Sequence, residues 1–146
     1  MKTIQTGEDL SGVHVWLVLW KAYSALRTRA EQSIESLGLG MSDFAILEIL
    51  LHKGPMPVNA IGDRIQLTSG SISVAVERLA QKGLVERKED ADDRRTRMVH
   101  LTSAGRKLIV PAFSHHAAVM EEAAGVLSAQ ERRQLLTLLK KLGKSI

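Results

Sequence analysis

The sequence contains no cysteine. This absence excludes from the chain a disulfide framework, cysteine-ligated zinc, an iron–sulfur cluster, a cysteine nucleophile and a thiol redox switch. Aromatic residues are also scarce, with two Trp, one Tyr and two Phe among 146 residues. None of the five lies in the most basic stretch, residues 78–107, which argues against a surface that stacks the bases of single-stranded nucleic acid.

Long hydrophobic runs and catalytic motifs are missing as well. The apolar run Val13–Leu19 ends before Lys21, well short of the roughly 20 residues that a membrane span needs. Residues 1–10 lack a basic region followed by an apolar one, so we expect no signal peptide. The sequence has no glycine-rich phosphate loop after a predicted strand, no H-E-x-x-H and no G-x-S-x-G, the motifs of common enzyme classes. We therefore expect a cytoplasmic protein that does not contact membranes, is not an enzyme and holds no cofactor.

The basic charge is concentrated in one segment. The chain carries a formal net charge of +4, and residues 78–107 hold nine basic and five acidic side chains, which accounts for the whole excess. A localised basic surface is typical of a protein that binds a polyanion. The alternative is an ordinary solvated charged face. The length suits one domain, or one domain with an oligomerisation arm.

The first part of the chain has a helical pattern. Apolar residues three or four apart predict a helix from Ser11 to Leu37. Between Val13 and Leu19 this helix is apolar nearly all round and needs cover on more than one side, which in a small protein is often a partner subunit. After a break at residues 38–40, Ser42 is predicted to cap a second helix, with Asp43 in its first turn where a negative charge suits the helix dipole.

A helix-turn-helix is predicted next. A short helix after Pro57, a tight turn and a longer helix from Ser69 to Lys82 have the required order. Thr68 is the predicted cap of the longer helix, and an inward stripe of Ile72, Val76 and Leu79 leaves small polar residues facing solvent. Such residues can contact phosphates or base edges, although they could also serve helix packing alone. The candidate DNA-binding residues of this helix are Thr68, Ser69, Gly70, Ser71 and Ser73.

Two short predicted strands follow the helix-turn-helix and form a wing. Residues 84–88 and 97–101 are rich in Val and Leu, and the segment between them is too polar to be buried. Arg94, Arg95 and Arg97 lie at the tip of this hairpin, where an arginine can enter the minor groove of DNA. Asp93 could orient a neighbouring guanidinium through a bidentate pair. Weak, screened ion pairs on an exposed surface are the alternative.

The C-terminal part is predicted to be helical. Thr102 caps a helix from Ser103 to about Ala124, and Pro111 inside it is expected to kink or loosen one turn. Ser128 and Glu131 fit a capping box before a last, leucine-rich helix. The adjacent His115 and His116 point about 100° apart on a helix and cannot easily share a metal, so we expect no metal site.

These segments together resemble the MarR family of bacterial transcriptional regulators. The resemblance rests on Asp93-Arg94-Arg95 followed by residues 99–105 (VHLTSAG), on the segments 67–79 and 82–87, and on residues 127–131 (LSAQE). It implies a mainly α fold with a small β-hairpin wing, in which N- and C-terminal helices form a dimerisation domain. It also implies a homodimer that binds a palindromic operator in double-stranded DNA. By position, Asp93 and Arg95 match the family's Asp-x-Arg pair, with Arg95 as the minor-groove residue.

The resemblance divides the chain into three parts and suggests an effector. Residues 1–40 would form an N-terminal dimerisation arm, 41–102 the winged helix-turn-helix lobe and 103–146 the C-terminal dimerisation helices. Segments 44–54 and 61–63 are similar to members that repress genes for handling quinones and related aromatics. This similarity implies a small phenolic or quinone-like ligand that binds noncovalently or reacts with a group other than a thiol. Trp16, Trp20 and Tyr23 share one helix face and could line its pocket. Packing in a dimer core, where each aromatic buries about 150–250 Å², is the alternative.

Two other functions are compatible with the residues alone. One is a helical dimerisation or adaptor protein whose basic segment binds an acidic partner. The other is a nonspecific architectural DNA-binding protein. A gel shift with unrelated DNA as competitor distinguishes all three.

Overall fold

A computed structural model describes residues 7–144 of the chain. It contains six helices and three short strands within this range. In chain order the elements are α1 (Gly12–Ile34), α2 (Met41–Lys53), β1 (Met56–Pro57), α3 (Val58–Ile65), α4 (Ser69–Gln81), β2 (Val85–Glu89), β3 (Arg97–Leu101), α5 (Ser103–Ala124) and α6 (Ala129–Lys144). The predicted mainly α fold with a winged helix-turn-helix is confirmed. Residues 1–6 of the segment searched for a signal peptide lie outside the described residues.

The wing is part of a three-stranded antiparallel sheet rather than a two-stranded hairpin. Its strand order is β1-β3-β2, with Val85 opposite Leu101, Glu89 opposite Arg97, and Met56 opposite Val99. The third strand was not predicted because β1 is only two residues long and includes Pro57. It adds an edge to β3 and attaches the base of the wing to the segment that leads into α3.

The core lies around α2 and receives side chains from every element between α3 and α5. The fully buried residues include Phe44 and Leu47 of α2, Ile61 of α3 and Ile109 of α5. The predicted inward stripe of α4 is confirmed, since Ile72, Val76 and Leu79 are all buried. Burial of this stripe fixes which face of α4 is left for solvent or a ligand.

The two end helices are much less covered. In α1 only Ala30, Ser33 and Ile34 are buried, and no residue of α6 is buried between Ala129 and Lys144. Large apolar side chains on both helices face solvent, among them Val13 (68% exposed), Trp16 (57%) and Leu138 (62%). None of the helices in residues 7–144 is both long and apolar enough to cross a membrane.

Most predicted helix ends are confirmed by their caps, with two corrections. Thr68 and Thr102 cap α4 and α5, and their side chains accept hydrogen bonds from the backbone N–H groups of Ser71 and Gly105. The prediction that Ser42 caps the second helix is wrong, because α2 already begins at Met41 with Gly40 in the cap position and no side-chain cap. The first helix ends at Ile34 and not at Leu37, because residues 35–37 tighten into a 3-10 turn.

Candidate nucleic-acid interface

The N-terminal turn of α4 is exposed and held in shape by its own hydroxyl groups. Thr68 Oγ1 donates to Ser71 Oγ at 2.9 Å and accepts from the Ser71 backbone N–H at 3.2 Å. These two hydroxyls therefore stabilise the helix start, while Ser69 and Ser73 lie exposed beside them. A Cβ added at Gly70 would have no other heavy atom within 4 Å. The backbone at Gly70 is thus not covered by side chains from other parts of the fold.

The turn before α4 sets the angle between the two helices of the motif. Gln66 has a left-handed backbone (φ 58°), and the Leu67 N–H donates to the Gly62 carbonyl at 2.9 Å. A Cβ added at Gly62 would lie 3.1 Å from Ile72 Cγ2. A side chain at Gly62 would push Ile72 away by a few tenths of an ångström, so the glycine allows α3 and α4 to pack closely.

The wing tip is organised by Asp93, although not in the predicted way. One carboxylate oxygen of Asp93 accepts from the Arg95 backbone N–H at 2.9 Å, and the other accepts from Thr96 Oγ1 at 3.0 Å. The prediction of a bidentate pair between Asp93 and a guanidinium is wrong, because both oxygens bond within the turn that follows. Asp93 therefore shapes the backbone of the tip and leaves the arginine side chains free to move.

The arginines of the wing tip are exposed to solvent and not held in ion pairs within the described residues. Arg94, Arg95 and Arg97 all face solvent, and no acidic side chain among residues 7–144 forms an ion pair with any of them. Asp90, Asp92 and Asp93 lie in the same loop, so the wing tip offers phosphate groups three guanidinium donors and not a net positive charge. The structure thus places these three predicted residues together at one projecting point.

Arg87 of β2 connects the wing to α4 and was not among the predicted site residues. Its guanidinium donates to the Ser73 carbonyl at 3.4 Å and lies 4.0 Å from the Glu77 carboxylate. Both partners belong to α4, so the wing strand is attached to the outer half of the helix. The pattern of the sequence carried no signal for this contact, because strand and helix residues meet here only through the fold.

The aromatic residues of α1 do not line one common pocket. Trp16 and Trp20 stack on each other with ring centroids 6.2 Å apart, and both are more than half exposed. Tyr23 lines a separate cavity of about 410 Å³, between α1 and the first turn of α2, that also involves Arg27, Met41 and Met120. Only Tyr23 of the three predicted residues lies where the N-terminal arm meets the helix-turn-helix lobe.

The Tyr23 cavity is mostly apolar with one cation at its edge. Arg27 Nε donates to Glu31 Oε1 at 2.7 Å, and hydrogen bonds to Glu31 and to the Tyr23 hydroxyl raise the pKa of Arg27. The guanidinium therefore stays charged beside the phenol. A cavity with apolar walls, one phenol and one cation suits a small planar molecule that carries a polar or acidic group.

His116 is bonded and packed inside the fold. His116 Nδ1 lies 2.8 Å from Ser33 Oγ, and the same hydroxyl donates to the Ala30 carbonyl. Its ring packs 5.0 Å from that of Phe44. Within residues 7–144 no group of three or more histidines and carboxylates is placed to bind a metal ion. His116 thus belongs to the packing of α1 against α2 and α5.

Comparison with known proteins finds a matching family model, a similar curated protein and solved structures of the same fold. The model of the MarR family matches residues 39–96. The HTH-type transcriptional regulator MhqR of Bacillus subtilis is 39% identical over 129 residues, which span 88% of this chain and 89% of that protein. A crystal structure of a probable transcriptional regulator from Pseudomonas aeruginosa is 30% identical, with a TM-score of 0.77 over 88% of this chain and 96% of that one. The structure of BpsR from Bordetella bronchiseptica, at 22% identity, shares the fold with a TM-score of 0.79 over 97% of this chain and 98% of its own.

Proposed function

The chain belongs to the MarR family and is a DNA-binding transcriptional regulator, and from this premise we propose that it binds a palindromic operator as a homodimer. In each subunit α4 enters the major groove and the wing tip reaches the adjacent minor groove. The observation that supports this most directly is the group of three unpaired arginines on a wing that Arg87 attaches to α4. A two-fold symmetric dimer places its half-sites about one helical turn apart, or roughly 10 bp.

The residues of the interface have different proposed roles. Ser69, Gly70 and Ser73 contact the DNA from the exposed face of α4, while Thr68 and Ser71 hold the helix start in shape. No Arg, Asn or Gln occupies the first two turns of α4, so bidentate reading of bases by this helix is limited. Specificity therefore depends more on DNA shape and on the arginines of the wing, with Arg95 as the minor-groove residue and Arg94 and Arg97 beside it.

The end helices supply the proposed dimer interface. Of the predicted parts, residues 7–40 form the N-terminal arm, 103–144 the C-terminal dimerisation helices, and 41–102 the DNA-binding lobe, while residues 1–6 and 145–146 lie outside the described residues. The support is the apolar surface that the single chain leaves uncovered on α1 and α6, including the stacked Trp16 and Trp20. Monomeric proteins rarely expose a large contiguous apolar patch, and a second copy of the chain covers it. We therefore assign the two tryptophans to the dimer core.

Regulation is proposed to come from a small aromatic ligand in the Tyr23 cavity. The cavity lies between the dimerisation arm and α2, so a molecule bound there contacts both the arm and the DNA-binding lobe. A phenolic or quinone-like ligand suits its apolar walls, and a phenolate or carboxylate would face Arg27. A ligand that favours one spacing of the two lobes changes operator affinity by its differential binding, typically about 1–3 kcal/mol.

Replacement of Arg95 tests the DNA-binding part of the proposal. Arg95→Ala removes a cation from the wing tip without removing any side-chain contact formed within residues 7–144. We expect operator affinity at fixed salt to fall by about 1–3 kcal/mol, roughly 5- to 150-fold, with unchanged thermal unfolding. Lys53→Ala is the matched control, because it removes the same charge from the exposed end of α2, beside His52, which packs on Phe113 of α5. Equal operator affinities for Arg95→Ala and Lys53→Ala would show that the wing does not contribute to DNA binding.

The dimer and the sequence preference need separate measurements. A chain ending at residue 127 lacks α6 and should sediment as a monomer or fail to fold, while the full chain sediments as a dimer. A folded dimer without α6 would contradict the assignment of the interface. In gel shifts, unrelated duplex DNA that competes as well as the operator would identify a nonspecific architectural protein, and no binding to either DNA would favour the adaptor function.

A further inference from the structure

We propose that Asp43 and Arg78 form a positioning pair that fixes the orientation of α4 and thereby contributes to sequence selectivity without touching DNA. This inference rests on the proposed function, since it concerns how α4 is aimed at an operator. Asp43 lies in the first turn of α2, and Arg78 lies in the last turn of α4. The two residues are 35 positions apart in the chain, so the pair connects the central core helix with the DNA-facing helix.

The geometry is that of a two-pronged ion pair. Arg78 Nε donates to Asp43 Oδ2 at 3.0 Å, and Arg78 Nη2 donates to Asp43 Oδ1 at 2.6 Å. The Asp43 side chain is 5% exposed, whereas that of Arg78 is 46% exposed. Two parallel bonds between a planar guanidinium and a planar carboxylate fix relative orientation as well as distance. The Arg78–Asp43 pair therefore restricts rotation of α4 in a way that a single hydrogen bond would not.

Asp43 and Arg78 are each followed in the chain by a buried core residue. Phe44 follows Asp43 directly and is 1% exposed, and Leu79 follows Arg78 and is fully buried. The remaining contacts of α4 with the core are apolar side chains, which attract one another without directional preference. Within the described residues, the Arg78–Asp43 bonds are the side-chain hydrogen bonds that join α4 to α2. The ion pair adds the directional constraint at the end of α4 that lies farthest from its capped start.

The ion pair also makes Arg78 of the basic segment unavailable for a direct contact with DNA. Arg78 is one of the nine basic residues between positions 78 and 107, but its guanidinium already bonds to a buried carboxylate. The hydrogen bonds with Asp43 raise the pKa of Arg78, so its guanidinium stays charged. Moving Arg78 onto a phosphate would leave the carboxylate of Asp43 buried without a partner, which is unfavourable. Arg78 therefore acts on the DNA through α4 and not by direct contact.

The test compares selectivity with general DNA affinity. The affinity of four variants is measured for an operator selected by the wild type and for a scrambled duplex, over a range of salt concentrations. The variants are Asp43→Asn, Arg78→Lys, Arg78→Met and the Asp43→Asn/Arg78→Met double variant. A positioning role predicts that each single variant lowers the ratio of the two affinities by about tenfold, with little change for the scrambled duplex. The slope of affinity against salt should not change, and the double variant should be no worse than the poorer single one.

Arg78→Lys separates positioning from phosphate contact. Lysine keeps the charge but loses the two-pronged geometry, so the proposal predicts that it behaves like Arg78→Met. The proposal is overturned if Arg78→Lys keeps wild-type selectivity. It is also overturned if Arg78→Met weakens binding to both duplexes equally and lowers the slope of affinity against salt by about one, as loss of a phosphate contact does. Variants of the exposed Arg29–Glu122 pair, Arg29→Met and Glu122→Gln, are controls that should leave selectivity unchanged.

Folding is monitored in parallel by circular dichroism and sedimentation. If Arg78→Met does not fold, Asp43→Asn decides alone, because its amide oxygen can still accept one bond and no buried charge is left over. Wild-type selectivity in a folded Asp43→Asn protein would overturn the inference. A wild type that selects no operator from random duplexes would instead contradict the proposed function, so the two failures are distinguishable.

Discussion

Replacing Gly105 with alanine should strongly destabilise the protein. Gly105 lies in the first turn of α5, and an added Cβ would overlap the carbonyl oxygen of Leu84 and lie 3.3 Å from Leu101 Cδ2. Neither side can easily move away. The Leu84 carbonyl accepts a hydrogen bond from the Thr102 N–H, and the Gly105 N–H itself donates to Thr102 Oγ1 at 3.0 Å. The overlap must therefore be relieved by shifting α5 against the base of the wing.

The expected size of this effect follows from two opposing contributions. Overpacking a core costs about 1–3 kcal/mol, and a clash with hydrogen-bonded backbone belongs at the upper end of that range. Alanine in place of glycine within a helix returns about 0.5–1 kcal/mol. We expect Gly105→Ala to lower the free energy of unfolding by about 2 kcal/mol net.

Urea unfolding at one fixed protein concentration measures the effect of Gly105→Ala. Gly70→Ala is the control, because Gly70 is also helical but an added Cβ meets no other heavy atom within 4 Å. That control should unfold at the same urea concentration as the wild type or a higher one. If Gly105→Ala unfolded together with the control, the close packing of α5 on the start of β2 would be refuted.

The remaining predictions concern the core, a helix cap and pH. Leu47→Ala should lower the free energy of unfolding by about 2–5 kcal/mol, because Leu47 is fully buried. Thr68→Ala should lower it by about 1 kcal/mol through loss of the α4 cap. Calorimetry of both variants checks these values. The backbone N–H of Ser128 donates to the carboxylate of Glu131 and lowers the pKa of Glu131. The ionised form therefore stabilises α6 above the ordinary pKa, and this contribution is lost as the pH falls through the lowered value. In Glu131→Gln the acid part of the stability–pH profile should be flatter than in the wild type, and identical profiles would contradict the cap.

Features set by neighbouring residues were predicted well from the sequence. The caps at Thr68, Thr102 and Ser128 depend on side chains that reach a backbone group three residues away, so a short pattern contains all the information. The buried stripe of α4 follows from helical periodicity, since Ile72 and Val76 repeat at one turn. The order of helix-turn-helix and wing strands followed from joining such local elements.

Features that depend on distant residues were not predicted. Asp43 was assigned to the helix dipole alone, because its partner Arg78 is brought to it only by packing of α4 on α2. Arg87 meets Ser73 for the same reason. The capping error at Ser42 has a local cause: Gly40 can take the cap conformation itself, so the helix starts one residue before the serine. Asp93 bonds within its own turn, to the Arg95 backbone N–H and the Thr96 hydroxyl, instead of to a guanidinium.

Selection from a pool of random duplexes tests the central claim most directly, that two copies present paired recognition helices and wings to one DNA. The full-length protein is incubated with the pool at fixed salt, and bound duplexes are recovered and sequenced over successive rounds. The account predicts an enriched, palindromic motif whose half-sites are centred about one helical turn apart, roughly 10 bp, and whose enrichment disappears with Arg95→Ala. Enrichment of a single asymmetric site, or of no sequence at all, would contradict it.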